Sequence, residues 1–118
     1  MNERIEKVCL MLKLIAEDFI DTKKIDFVLP LYQELVEKTR CEEGCIAYDL
    51  YHDIKNLGHF VFIEEWVDRA ALDRHVQSEH FQRLVPQIDQ YQTRSGRFTH
   101  LDHFENMMKE NIIKKDIQ

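Results

Sequence analysis

Glycine and proline are scarce, with three and two copies among 118 residues. A chain so poor in both carries no collagen-like repeat, linker-rich array or low-complexity tract. Bases are outnumbered as well: 16 Lys and Arg face 22 Asp and Glu, a formal charge of −6. That balance argues against a nucleic-acid binder, which neutralises phosphates with clustered Lys and Arg. The basic pair Lys114-Lys115 reads as a solvated helix end. Three cysteines (Cys9, Cys41 and Cys45) are an odd number and make no disulfide framework, so they read as reduced thiols in a cytosol. No long apolar run occurs. Val8 to Ala16 is short and interrupted by Lys13, which fits neither a signal peptide nor a membrane span. The expectation is a soluble, cytoplasmic protein.

Cofactor motifs are missing too. There is no G-x-G-x-x-G, P-loop, nucleophile elbow or H-E-x-x-H, so flavin, nicotinamide and nucleotide chemistry have no local support. Cys41-x3-Cys45 lacks the partner pair that zinc needs. His75 and His80 are five apart, so on one continuous helix they do not stack as an i, i+4 metal pair. These observations predict a protein without cofactor or metal, colourless when purified.

What is present is an ordinary globular composition, 44% hydrophobic and 32% charged. The length suits one domain over 1–118, with a core at about 7–104 and a C-terminal helical extension over 105–118. Val8 to Ala16 reads as a strand, apolar on nearly both faces. From Phe27 to Thr39, Val28, Leu31, Tyr32, Leu35 and Val36 recur at helical spacing. Asp26 is the expected cap, Pro30 falls in the first turn, and Gly44 supplies a left-handed stop. Ile46 to His52 and Phe60 to Trp66 form a predicted hairpin with a loop of about five residues. Asp68 caps a helix through His75, and Ser78 caps a second piece carrying Phe81, Leu84, Val85 and Ile88, which Pro86 kinks or shortens. Phe98 to Phe104 is the last predicted strand, followed by a helix over Asn106 to Lys115.

The order β-α-β-β-α-β is the split βαβ, ferredoxin-like α+β pattern: an antiparallel sheet with helices on one face. Phe60 and Phe62 point to one face, Val61 and Ile63 to the other. Two helices cover only one face, so a homodimer with sheets packed face to face is expected.

Two segments carry candidate chemistry. In Glu42-Glu43-Gly44-Cys45-x-x-Tyr48, acidic neighbours disfavour a reactive thiolate, whereas the Tyr48 phenol suits packing and ligand binding equally. In the second, Glu64-Glu65-Trp66 is followed by Leu72-x-x-His75-x-x-x-x-His80-Phe81. An imidazole titrating near neutrality serves as a proton acceptor or as a hydrogen-bonded structural group. Glu64 and Glu65 point to opposite faces of a strand and cannot form an acid–base dyad.

These motifs, in this element order, resemble the antibiotic biosynthesis monooxygenase family of dimeric α+β barrels, with its quinol monooxygenase branch nearest, over about Lys7 to Phe104. The resemblance implies oxidation of a quinol, phenolic or polycyclic aromatic molecule by O2 with no cofactor. It assigns catalytic roles to His75 and Trp66, and substrate contacts to Tyr48, Glu65, His80 and Phe81. The resemblance to the haem-degrading branch would imply Trp at the His75 position and a ligand His near Val85, and this chain has neither. Isomerases of small signalling sugars share the Glu-Glu-Gly-Cys segment but tend to lack Trp66. That reading stays open, as does a non-catalytic small-ligand module.

Overall fold

A computed structural model describes residues 11–109. Strand β1 spans Leu12–Phe19, helix α1 Ile25–Arg40, β2 Cys45–Asp53, β3 Asn56–Trp66, α2 Arg69–Gln77, α3 Glu79–Asp89 and β4 Arg97–Leu101. The four strands form one antiparallel sheet in the order β2-β3-β1-β4. This is the expected ferredoxin-like α+β fold, with the first and third strands central. No described helix is long and apolar enough to cross a membrane.

Alternation along β3 decides which face the helices cover. Phe60, Phe62, Glu64 and Trp66 are buried, while the odd-numbered positions between them are only half covered. Register aligns Leu14 and Ala16 of β1, and Tyr48 of β2, with that buried row. From above, α1 adds Val28, Tyr32 and Leu35, and α3 adds Leu84 and Ile88. Burying these side chains is the main force holding the layers together, at roughly 1.5–3 kcal/mol for each large one.

Several boundaries differ from expectation. β1 continues to Phe19, beyond the apolar run, because Asp18 accepts the Tyr32 O–H and Glu17 pairs with Arg97 of β4; Val8 to Leu10 lie outside the described residues. Asp26 does not cap α1. Asp21 caps a single 3-10 turn, Thr22–Lys24, that leads into α1, and so Pro30 sits beyond the first turn. The hairpin is tighter than expected, with only Ile54 and Lys55 between the strands, since the Asp53 carboxylate accepts the Lys55 N–H at 2.8 Å. Pro86 does not end α3, which runs on to Asp89. β4 stops at Leu101, and residues 104–109 are helical, so Phe104 leaves the strand and the terminal helix begins earlier. Residues 110–115, the remainder of the expected helix, lie outside the described residues.

Two caps hold as read. The Asp68 carboxylate accepts the Ala71 N–H at 2.8 Å, and the Ser78 hydroxyl accepts the Phe81 N–H at 3.3 Å. Gly44 has φ +85°, and a Cβ there would lie 2.6 Å from Ala71 Cβ. Gly44→Ala is therefore expected to lower unfolding stability by about 1–3 kcal/mol from backbone strain alone, measurable by urea denaturation.

Candidate functional site

The helix layer stops short of β4, and Phe98 on that strand is 68% exposed. Between the sheet, α3 and residues 92–98 lies a cavity of about 430 Å3. This volume is within the range of small-molecule sites. Its walls are mainly rings and aliphatic groups, among them Tyr48, Phe62, Phe81, Val85 and Phe98. The polar groups are Glu64 on the floor, Asp18, Asp89, Gln92 and Ser95 to one side, and Arg94 with its guanidinium over the Phe19 ring at 3.6 Å.

Glu64 is the unusual member. It is 4% exposed, and Oε1 accepts the Trp66 indole N–H at 3.0 Å. Oε2 has no hydrogen bond among the described residues. The only fully buried unpaired side-chain oxygen among them is Thr39 Oγ1, so Oε2 looks into the cavity that Glu64 lines. Burial raises the Glu64 pKa to about 7; the nearby Glu42 charge adds to the rise and the indole hydrogen bond opposes it. A carboxyl in this setting exchanges a proton at neutral pH. Across the strand pair, burial keeps the Tyr48 phenol well above its ordinary pKa, with the Glu64 charge adding to the effect. It remains a neutral O–H.

His75 lies behind this wall rather than in it. It is 2% exposed and packed by the rings of Trp66 at 4.7 Å, Phe81 at 5.0 Å and Tyr48 at 5.3 Å. Its Nδ1 is 2.7 Å from Glu42 Oε2, and His80 Nε2 is 2.8 Å from the same oxygen. Burial lowers the His75 pKa, and the bond to Glu42 offsets this in part. The ring is neutral near pH 7.

The candidate residues therefore divide. Tyr48 and Phe81 line the cavity; Trp66 supports it through Glu64 and is wholly buried. His75 and His80 gather around Glu42 instead. Glu65 is not brought to the site: it pairs with Lys13 and Ala47, whose side chains share the sheet face opposite the helices. Strand parity explains this and holds a signal that sequence reasoning passed over. Residues two apart share a face, so Glu64 accompanies Trp66 inward and Glu65 does not. Glu42, read from sequence as merely acidic, had no such signal. Cys45 stays inert, since burial pushes its thiol up to about 11.

The chain is thus a ferredoxin-like α+β domain with a partly open, mainly apolar cavity between its sheet and helices. Residues 11–87 match the family model for antibiotic biosynthesis monooxygenase, and the chain belongs to that family. A crystal structure of an antibiotic biosynthesis monooxygenase, 61% identical, superposes with TM-score 0.77 and covers 78% of this chain and 97% of the other. The Bacillus subtilis protein named "Putative monooxygenase YcnE" is 36% identical over 75 residues, 64% of this chain and 79% of its own. An uncharacterized Synechocystis protein, sll1783, is 43% identical over 63 residues, 53% of this chain and only 42% of its own length.

Proposed function

We propose that the protein is a cofactor-independent monooxygenase acting on a hydroxylated aromatic molecule, a quinol, phenol or polycyclic phenol, in the cavity below α3. The observation carrying this reading is the Glu64 carboxyl: buried, held at one oxygen by Trp66, and lining a cavity whose walls are mainly rings and aliphatic groups. A neutral aromatic hydroxyl fits there. Glu64 accepts its proton, and the resulting anion is electron-rich enough to reduce O2 directly. One oxygen atom enters the product and the other leaves as water, with all four electrons coming from the substrate. The surrounding rings bind the aromatic face, and the Tyr48 phenol, which lines the same cavity, orients the ring oxygen. In this reading Glu64, rather than His75, is the proton acceptor.

Oxygen consumption tests the proposal. A panel of hydroquinones and naphthols is expected to give substrate-dependent uptake by chelator-treated protein, with one quinone-level product per O2, a hydroxyquinone from a hydroquinone and a quinone from a naphthol. Tight binding of the same compounds without uptake would make the chain a binding module.

The reading includes a two-chain assembly. The sheet face away from the helices has an apolar centre in Ile15, Val61 and Ile63, bordered by Lys13, Glu65, Arg97 and the exposed Tyr51. A symmetric partner covering this face completes the expected homodimer. Sedimentation is expected to give twice the 14.3 kDa chain mass. A clean monomer at micromolar concentration removes the assembly from the reading.

A further inference from the structure

We propose that Glu42, His75 and His80 form a binding site for one divalent transition metal of the zinc class. Three donor atoms, Glu42 Oε2, His75 Nδ1 and His80 Nε2, all lie within 4.8 Å of one another. They come from separate elements held in fixed relation. Glu42 sits in the turn closed by Gly44, His75 in the last turn of α2 and His80 in the first turn of α3. Spacing on one continuous helix argues against this pair. The chain is not continuous there: Ser78, with ψ 154°, ends α2 and starts α3, and the break turns His80 back toward His75. The expectation of no metal site rested on that continuity, and the break removes its basis.

The chemistry of the set favours such a cation. Two imidazole nitrogens and one carboxylate oxygen are the donors of open three-ligand zinc sites, where water fills the remaining position. Magnesium and calcium prefer more oxygen donors than are present. Glu42 has no Lys or Arg partner among the described residues; its ion-pair partners are the two imidazoles. Both nitrogens point at a single oxygen, at 2.7 and 2.8 Å. Ligands about 2.0–2.1 Å from a shared metal lie roughly 3 Å apart, so side-chain rotation alone makes the room. Each neutral imidazole need only carry its N–H on the other nitrogen. Ser78 Oγ, 3.2 Å from His80 Nε2, adds a nearby oxygen. Side-chain exposures of 14% for Glu42 and 13% for His80 leave an entry path, while His75 closes the interior side at 2%. His59 makes the contrast. It also meets two carboxylates, but through opposite ring nitrogens, to Asp53 and Glu17, and so offers no convergent set.

Full-length protein, stripped with a chelator and desalted, is titrated with Zn2+ by calorimetry and with Co2+ by visible absorption. The expected result is one metal per chain with micromolar or tighter affinity, together with visible Co2+ bands. His80→Ala and Glu42→Gln should each weaken binding by at least about tenfold, while His59→Ala should bind as the parent does. Circular dichroism checks folding, and His80→Gln replaces His80→Ala if the latter fails to fold. No binding by the folded parent protein overturns the proposal. So does unchanged affinity in the folded Glu42 and His80 variants. The readout is binding alone, so it stands or falls apart from the oxidation reaction.

Discussion

Glu64→Gln is expected to lower turnover of a hydroquinone about 10²- to 10⁴-fold, the usual range for a lost general base. Gln fills the same space and can still accept the Trp66 indole N–H, so binding should be nearly unchanged and the loss should fall on kcat. If the proposed reaction holds, the parent protein needs Glu64 ionised to take a proton, so its activity should rise with pH through about 7, the value to which burial lifts this carboxyl. The variant should lack that limb and gain activity only as hydroxide becomes available. Turnover measured from pH 5.5 to 9 for both proteins decides the matter. Equal profiles would assign the proton to another group.

The same substitution carries an opposite sign in stability. An unfolded Glu releases its proton near its ordinary value of 4.5, whereas the folded chain holds it to about 7. Below both values the carboxyl is protonated in either state and stability does not depend on it. Between them the folded state binds more protons, so stability falls as pH rises. Above about 7 the loss is complete, about 3 kcal/mol at 1.36 kcal/mol per pH unit. Glu64→Gln should therefore unfold at a higher urea concentration than the parent at pH 8, with the advantage shrinking toward pH 5. A residue that destabilises the fold where the reaction needs its charge is the pattern expected of a functional group.

Trp66→Ala is expected to lower stability by about 3–5 kcal/mol, the range for removing a fully buried large aromatic. Trp66 is 0% exposed and packs against His75 and Tyr48, so its loss opens a cavity beside the site. Such a loss is a large part of the roughly 5–15 kcal/mol that holds a domain folded. Trp66→Phe separates packing from hydrogen bonding. It retains much of the ring volume but removes the N–H that helps hold Glu64 ionised. Its pH profile should shift to higher pH while its unfolding midpoint stays well above that of Trp66→Ala. An unshifted profile in a folded Trp66→Phe variant would show that the indole contributes volume alone.

The elements were legible because their causes are local. Apolar spacing from Val28 to Val36 specifies α1, alternation from Phe60 to Trp66 specifies β3, and Asp68 and Ser78 mark helix starts through side chains that accept N–H bonds three residues on. Tyr48, Trp66 and Phe81 stood out for the same reason, as large rings at positions that alternation or helical spacing turns inward. The tight hairpin at Ile54-Lys55 and the 3-10 turn before α1 were less legible. Each depends on one carboxylate, Asp53 or Asp21, capturing a backbone N–H.

By itself, the sequence determined the element order, the ferredoxin-like class and the absence of nucleotide motifs, because these follow from periodicity and composition. Only the tertiary structure decided which acid serves the cavity. Glu64 and Glu65 are neighbours with the same chemistry, and the side on which the helices pack makes one a buried group at about 7 and leaves the other on the open sheet face. It also decided that Glu42, His75 and His80 meet. Those residues are 33 and 38 positions apart in the chain, and no pattern along a sequence encodes the angle at which two helices joined at Ser78 diverge. Burial and convergence are properties of packed elements, and they exist only once the layers are assembled.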